Sequence, residues 1–308
     1  MIAKLLPVFA ALAVFSNSQN TGNAVIDALS TVDNLKTLKS VLASEPFIEL
    51  TKGAPFNGEF TVFAPSDDAF DRAGDLGKDN DLIKAILTYH VLPATVPSSA
   101  ITEKPAFVRT VSDNAKYVNL PNKSAQMVGA YKECDTVRII DGTYVEDQSY
   151  PKVIKADIKV GKGVVHIIDR LLTLPQPIST VLKANARYST LLSLLNQTKS
   201  VDALDGLTGA TLLAPSNAAF LPITTAKDKP SVEDLTYVLY GHVINGISLL
   251  TTRGLPNGTY PTLNKNKPLN VKVSSRKLVV GDANVIQPNI LTKNGLIHRI
   301  DKVISVAK

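Results

Sequence analysis

The sequence contains few of the residues that usually carry crosslinks or catalysis. Its 308 residues include one cysteine, Cys134, four histidines and no tryptophan. A single cysteine excludes an internal disulfide bond, so the fold must be stabilised by the burial of apolar side chains. We expect Cys134 to be a small buried hydrophobic residue, with a disulfide bond to a second chain as the alternative.

Local motifs of common enzyme classes are also absent. The sequence has no HExxH pair, no G-x-S-x-G nucleophile motif and no Walker loop. A GKG stretch at 161–163 lacks the helix that follows a dinucleotide-binding loop. The sequence therefore predicts no catalytic residue, no metal site and no cofactor.

Long apolar runs are missing after the N-terminus. Residues 1–18 combine the charged start MIAK with the apolar run LLPVFAALAVF, a pattern typical of a secretory signal peptide and too short to span a bilayer. The final residues VISVAK lack the hydrophobic tail of a lipid-anchor signal. We therefore expect a secreted protein, extracellular or in the cell wall, with no membrane span and no lipid anchor.

Neither sign of charge is concentrated in one part of the sequence. The formal net charge is +6, Lys4 would be lost with the signal peptide, and the other basic residues are scattered. This scatter argues against nucleic-acid binding and leaves a weak attraction to an acidic surface or wall polymer. Three Asn-x-Ser/Thr sequons, at Asn122, Asn196 and Asn257, predict glycosylation of an exported chain.

The sequence does contain an internal repeat. TVFAPSDDAF at 61–70 returns as TLLAPSNAAF at 211–220, and an amphipathic helical pattern precedes each copy. The β-branched and aromatic start predicts a buried strand, which the proline ends. The next residue, Ser66 or Ser216, occupies the N-cap position of a helix, where its hydroxyl would accept a backbone N–H. We therefore predict a strand-to-helix corner in each copy, and not a catalytic serine.

A second motif is a helix that ends at a histidine. The helical stretch of the first copy ends in Tyr89-His90 and that of the second in Gly241-His242, where Tyr240 is a candidate substitute for the missing tyrosine. Neither histidine lies close to another in the sequence, and no cysteine accompanies them, so a metal site would need carboxylates from elsewhere. We expect buried histidines that form hydrogen bonds with backbone or carboxylate groups.

A third motif closes each copy. VVHIIDRLL around His166 and LIHRIDKVI around His298 alternate apolar residues in the manner of a strand. Asp169 and Asp301 follow three positions later, which points them to the opposite face from the histidine. We therefore expect each aspartate to cap a turn or, at Asp169, to pair with Arg170, and not to form an acid/base pair with the histidine.

The spacing of the motifs predicts the domain organisation. The two repeated histidines are 76 residues apart in the first copy and 56 in the second, so the first copy holds extra residues, which we place near 121–150. We predict a first domain at 22–173, a proline-bearing linker at 174–177 and a second domain at 178–308.

In these three ordered motifs, each copy resembles a fasciclin-type (FAS1) domain. The resemblance covers nearly all of the predicted mature chain. It implies an α+β fold of two tandem FAS1 domains, each a wedge-shaped β-sandwich of about seven strands with several helices packed on it. It also implies a non-enzymatic adhesion protein. The residues that these matches assign to structural roles are Thr61, Pro65, Ser66, Phe70, Tyr89, His90, His166, Asp169, Thr211, Pro215, Ser216, Phe220, His242, His298 and Asp301.

The resemblance also implies where partners bind. In animal members of the family, an Asp-Ile segment just before the last motif has been linked to integrin binding. The first copy has Asp157-Ile158 at this position and the second has Asn289-Ile290, so an acid-dependent contact would favour the first domain. The implied partner is an extracellular protein or a polysaccharide of the wall or matrix, bound by a monomer or weak oligomer. Two linked copies would add avidity.

Two other functions stay open at the level of sequence. A secreted hydrolase could use a neighbouring histidine and aspartate, although only their occurrence in the same motif supports it. A carrier of a small apolar ligand could use a groove between the helices and the sheets, which the sequence does not place.

Overall fold

The computed structural model divides the chain into two compact units. It describes residues 26, 29, 32–45, 47–143, 150–245, 257–265, 267–273 and 278–305. One unit comprises Met1–Ser112 and Gln126–Thr173, and the other comprises Asp113–Ala125 and Leu174–Lys308. The predicted signal peptide lies outside the described residues. The segment Asp113–Ala125 belongs to the second unit, although it lies within the first copy of the sequence repeat.

The first unit contains seven strands in its described residues. They form one sheet in the order β2-β1-β7-β6 and another in the order β3-β4-β5, and a single bridge between Arg138 and Lys152 connects β5 with the start of β6. The strands are β1 (Thr61–Pro65), β2 (Val91–Leu92), β3 (Ala106–Arg109), β4 (Met127–Glu133), β5 (Thr136–Ile140), β6 (Val153–Val160) and β7 (Gly163–Ile168). As a result, β6 is an edge strand of its sheet.

The second unit also has seven described strands, which form one continuous sheet. Its order, β10-β11-β12-β13-β14-β8-β9, repeats the succession of the first unit without the break before β6. The strands are β8 (Ala210–Pro215), β9 (Val243–Ile244), β10 (Gly258–Tyr260), β11 (Leu269–Val273), β12 (Leu278–Val280), β13 (Ala283–Thr292) and β14 (Gly295–Ile300). Strand β13, the equivalent of β6, pairs with β14 along its length and with β12 only at Ala283 and Asn284.

Short amphipathic helices accompany the strands. Those of the first unit are α1 (Lys36–Ala43), α2 (Asp67–Ala73) and α3 (Asn80–Tyr89). Those of the second are α4 (Ile178–Lys183), α5 (Ser189–Gln197), α6 (Val201–Gly206), α7 (Leu221–Thr224) and α8 (Val232–Tyr240). Helix α1 buries Leu38, Val41 and Leu42 at the i, i+3, i+4 spacing that places side chains on one face. The predicted α+β class is confirmed.

The strand of the first repeated motif lies at the centre of each core. Strand β1 is buried along its whole length and pairs in parallel with β7, as β8 pairs with β14. A strand covered on both faces reads as a continuous apolar run, which explains TVFAP and TLLAP. The motif that opens each copy and the motif that closes it are thus direct neighbours in the sheet.

The extra residues of the first copy fall in two places. Residues 110–126 connect β3 with β4, where the second unit uses 261–268. Residues 141–152 connect β5 with β6, where the second unit uses only 281–282. The second of these insertions lies between β5 and β6, which remain joined by the bridge between Arg138 and Lys152.

Candidate functional site

At the corner after β1, side chains accept hydrogen bonds from the free backbone N–H groups at the start of helices. The Ser66 hydroxyl accepts the N–H of Ala69 at 3.2 Å, so Ser66 caps helix α2. The carboxylate of Asp67 accepts the N–H groups of Lys36 and Thr37, at 3.3 and 2.7 Å, and therefore caps helix α1 as well. One corner thus starts two helices, and the sequence pattern indicated only the first of them.

The corner after β8 differs from the prediction. Ser216 forms no side-chain cap, and a 3₁₀ turn at Asn217–Phe220 replaces the first part of the helix. Pro222 stands where the first copy has Arg72, and because proline has no N–H it cannot extend the hydrogen-bond ladder of a helix begun at Asn217. The expected cap at Ser216 is therefore wrong.

Asn217 nevertheless caps a helix that precedes the motif, as Asp67 does in the first unit. Its side-chain oxygen accepts the N–H of Thr190 at 3.0 Å, at the start of α5. Its amide donates to the carbonyl oxygen of Ala186 and to the Ser189 hydroxyl, at 2.8 and 3.0 Å. The asparagine holds the beginning of α5 as Asp67 holds the beginning of α1.

The other decapeptide residues that were assigned structural roles are internal. Thr61 and Thr211 are buried in β1 and β8, and the prolines at positions 65 and 215 end these strands. The aromatic rings of Phe70 and Phe220 are 7% and 1% exposed. The Thr61 hydroxyl donates to the Ala94 carbonyl oxygen at 2.6 Å. None of these groups is presented to a partner.

His90 lies at the end of α3 with both ring nitrogens occupied. Its Nε2 accepts the backbone N–H of Leu172 at 2.9 Å, so the proton is on Nδ1, which donates to the Ile86 carbonyl oxygen at 2.7 Å. Burial lowers the pKa of His90 to about 4. The neutral ring joins the end of a helix to the chain that follows β7.

His242 repeats this arrangement in the second unit. Its Nε2 accepts the N–H of Ile304 at 2.9 Å and its Nδ1 donates to the carbonyl oxygen of Val238 at 2.8 Å. Burial lowers the pKa of His242 to about 4 as well. With both nitrogens used, neither histidine has a lone pair for a metal ion or for proton transfer to a substrate.

His166 binds a bulge in the neighbouring strand. The pairing of β6 with β7 shifts between Lys155 and Ile158, and Asp157 in this bulge has a φ of +59°. The Asp157 N–H donates to His166 Nδ1 at 3.2 Å, and His166 Nε2 donates to the Val96 carbonyl oxygen at 2.9 Å. The ring therefore satisfies the N–H that the bulge removes from the sheet ladder.

The second unit has the same bulge with an asparagine. Asn289 has a φ of +63°, and its N–H donates to His298 Nδ1 at 3.0 Å. Aspartate and asparagine tolerate this left-handed backbone better than most residues. The Asp/Asn choice at this position thus has a structural reason that is independent of any partner.

The predicted partner-binding pairs differ in exposure. Asp157 is exposed, and its carboxylate accepts the Ser98 N–H at 2.8 Å and the Ser98 hydroxyl at 2.5 Å. These hydrogen bonds lower the pKa of Asp157. Ile158 is half-buried. Asn289 and Ile290, on strand β13, are 3% and 5% exposed.

The aspartates of the third motif bind the start of the preceding strand. Asp169 accepts the N–H of Lys152 at 2.8 Å, and Asp301 accepts the N–H of Asn284 at 2.9 Å. The Arg170 guanidinium is 4.0 Å from the Asp169 carboxylate, at the limit of an ion pair. Both carboxylates hold backbone in place and neither contacts the histidine of its motif through a described hydrogen bond.

The two tyrosines of the second motif are not equivalent. Tyr89 is fully buried and its hydroxyl donates to the Met127 carbonyl oxygen at 2.9 Å. Tyr240 precedes Gly241, so it occupies the place of Thr88 and is half-buried. Successive side chains of a helix are rotated by about 100° around its axis. The side chain of Tyr240 therefore points in a different direction from that of Tyr89 and does not substitute for it.

The modification candidates are on the surface. Cys134 is exposed in the turn between β4 and β5, so the expected burial is wrong; a turn of this kind with a φ of +53° faces solvent. The sequon residues Asn122, Asn196 and Asn257 are all exposed. Their glycosylation stays a prediction.

Within the described residues, no cluster of three or more histidine, cysteine, aspartate or glutamate side chains is arranged to bind a metal ion. None of the described helices combines the length and the apolar character that crossing a bilayer requires.

Comparison with known proteins links these features to a family. The fasciclin domain model matches residues 24–175 and 186–306. A fasciclin-like arabinogalactan protein of Arthroderma benhamiae is 30% identical over 253 residues, which cover 80% of this chain and 58% of that protein. Fasciclin-1 of Drosophila melanogaster is 26% identical over 275 residues, covering 81% and 41%. This chain thus spans little more than half of the first relative. A solved FAS1 domain pair from the insect cell adhesion molecule Fasciclin I aligns with a TM-score of 0.41 and 20% identity, over 80% of this chain and 89% of that one.

Proposed function

Because this chain belongs to the fasciclin family and consists of two tandem FAS1 domains, we propose that it acts outside the cell as a non-enzymatic adhesion protein. Fasciclin domains and the matched relatives support an adhesion-type role. The extracellular or cell-wall setting rests on the predicted signal peptide and the predicted glycosylation sequons of the sequence. One observation carries the proposal: the histidines and aspartates of the repeated motifs bind backbone groups, which leaves recognition to exposed strands and loops.

The contact surface that we propose is strand β6 of the first unit. This edge strand exposes half of the Ile154 side chain, together with Lys155, Asp157 and Lys159. In the second unit the counterpart Ile286 is also 50% exposed, but Gln287 and Leu291 replace Lys155 and Lys159, and the bulge is buried. The exposed charges around the bulge therefore distinguish the first unit. We therefore assign the contact to the first unit.

The charge of this surface favours an acidic partner. Lys152, Lys155, Lys159 and Lys162 are exposed along β6 and the turn that follows. The carboxylate of Asp157 is already held by Ser98. The chain as a whole is also basic, with a formal net charge of +6. We infer that an acidic polysaccharide of the wall or matrix binds here, with an affinity that falls as salt screens the charges.

The test is retention of the full chain on immobilised polygalacturonate. The double variant Lys155→Glu/Lys159→Glu should bind about ten-fold more weakly at low salt, because it reverses two charges at the surface. The matched control, Lys183→Glu/Lys227→Glu, makes the same change in net charge at exposed positions of the second unit. An equal loss in both variants would show a general charge effect and contradict a contact on β6.

A second variant separates the two partner classes. Asp157→Asn removes one charge and keeps the bulge, since Asn289 has the same backbone conformation in the second unit. Binding to an acidic polysaccharide should be unchanged or stronger. A receptor protein that needs the carboxylate would not bind this variant. Such a loss of binding would contradict the polysaccharide and assign a protein partner instead.

A further inference from the structure

The first unit contains an apolar cavity that the adhesive surface does not use. It has a volume of about 270 Å³ and opens between helices α1, α2 and α3, with β1 as its floor. Its wall is built mainly from apolar and aromatic side chains, among them Val41, Phe56, Phe70, Ile83 and Leu87. Neither Ser66 nor the bulge of β6 is among the described residues that line it.

The second unit shows that the fold does not require this cavity. Its equivalent helices and strand contribute Leu191, Leu212 and His242, the counterparts of Leu38, Val62 and His90, to a space of only about 20 Å³. There, Ala203 and Leu204 of α6 also line the space. That space has room for about one water molecule and not for a larger ligand. At this position of the fold, among the described residues, the space is open in the first unit and nearly closed in the second.

The volume of the cavity sets the size of its ligand. An apolar cavity of about 150 Å³ is enough to bind benzene. The space in the first unit is nearly twice as large, which suits two fused aromatic rings or a hydrocarbon group of similar bulk. It lies just below the range of about 300–1,000 Å³ for pockets of drug-sized ligands.

The wall chemistry sets the polarity of the ligand. His90 lines the cavity, but both of its ring nitrogens are bound to backbone groups. Charged side chains are found at exposed positions of the lining, and they are of both signs: Glu45, Asp75 and Lys78. A polar group carried into the interior would lose its hydration without a new hydrogen bond, which costs several-fold or more in affinity.

We propose that this cavity binds a neutral, compact apolar molecule of about the size of two fused aromatic rings, and that the second unit binds none. The site is separate from the polysaccharide contact proposed on β6, so either proposal can fail without the other.

The test is a titration of the full chain with naphthalene, used as a neutral fluorescent dye of two fused rings. We expect saturable binding of one dye molecule per chain. Naphthalene-1-sulfonate has the same rings with a charge, and it should bind at least about ten-fold more weakly because the charge resists burial. Equal binding of the two dyes, or no saturable binding of the neutral dye, would overturn the proposal.

A pair of tryptophan variants locates the site. Ile83→Trp fills the cavity from α3 and should reduce dye affinity by at least about ten-fold, since the ligand and the indole compete for one volume. Val232→Trp adds the same ring at an exposed position of α8 in the second unit and should leave affinity within about two-fold. Unchanged affinity in Ile83→Trp would contradict the assignment. Circular dichroism checks the fold; should Ile83→Trp unfold, Leu76→Trp, from the half-buried connection between α2 and α3, replaces it.

Discussion

At the scale of single residues, each histidine binds a backbone group that has no partner within its own helix or strand. The last carbonyl groups of a helix lack N–H donors, and His90 and His242 supply one to Ile86 and Val238. His166 and His298 accept the N–H of a bulge residue. A sequence can predict that such a histidine is buried. It does not give the partner, because the partner is far away in the sequence.

The two helix-end histidines make stability depend on pH. Their pKa is about 4 in the folded protein, against about 6.5 in the unfolded chain. The unfolded state therefore binds more protons between these values, and stability falls as the pH drops from 6.5 to 4. Each histidine should cost about 2 kcal/mol at pH 5 relative to neutral pH. The measurement is urea unfolding of the wild type, His90→Gln and His242→Gln from pH 7.5 to 4.5, where each variant should show a shallower dependence.

Asp141 provides the control, because its effect has the opposite sign. Burial raises the pKa of Asp141 to about 6, although Thr143 and Thr173 donate hydrogen bonds to it. The folded state then takes up this proton before the unfolded state does, which adds stability as the pH falls from 6 to 4. Asp141→Asn removes that contribution, so its stability should fall more steeply with acid than that of the wild type. A shallower curve in Asp141→Asn would contradict the raised pKa of Asp141.

At the scale of the elements, the two corners show how far a local motif predicts structure. The strands β1 and β8 and the turn after each are encoded within ten residues, and the structure contains both. The residue after the motif's serine, Asp67 or Asn217, caps a helix that precedes the motif. The motif did not predict this cap, because the capped residue lies 30 or 27 positions earlier in the sequence. The cap at Ser216 failed because Pro222, outside the shared motif, changes the helix that follows.

The corners make a matched prediction about helix capping. Ser66→Ala should lower the free energy of unfolding by about 1 kcal/mol, because it removes the acceptor for the Ala69 N–H. Ser216→Ala should change it by less than about 0.5 kcal/mol, because its hydroxyl makes no cap. Chemical denaturation of the two variants under one condition measures the difference. An equal loss in both would mean that the hydroxyl of Ser66 contributes through something other than the cap.

At the scale of the whole molecule, duplication has not given two equal units. The bulge of β6 is exposed in the first unit, whereas the bulge of β13 is buried in the second. The cavity is likewise open in one and nearly closed in the other. Sequence comparison of the copies predicted the shared strands and the extra residues. The exposure of a strand and the volume of a cavity depend on which distant segments pack there, so they could not be predicted from the repeat.

Segment Asp113–Ala125 of the first copy is part of the second unit and should stabilise it. The Asn119 amide donates to the Leu207 carbonyl oxygen at 3.1 Å, and its side-chain oxygen accepts the Thr208 hydroxyl at 3.0 Å. Its N–H donates to the carbonyl oxygen of Lys293 at 2.9 Å, a bond that does not involve the side chain.

Asn119→Ala should therefore cost about 1–2 kcal/mol, since two side-chain hydrogen bonds are lost while the backbone bond remains. The loss should appear in hydrogen exchange as faster exchange of β14 amides, with β7 amides unchanged. Asn114→Ala, in the same segment, removes only a hydrogen bond to Lys116 and serves as the control. Faster exchange of β7 amides in Asn119→Ala would assign the segment to the first unit. This result would contradict the prediction that an insertion in the first copy stabilises the second unit.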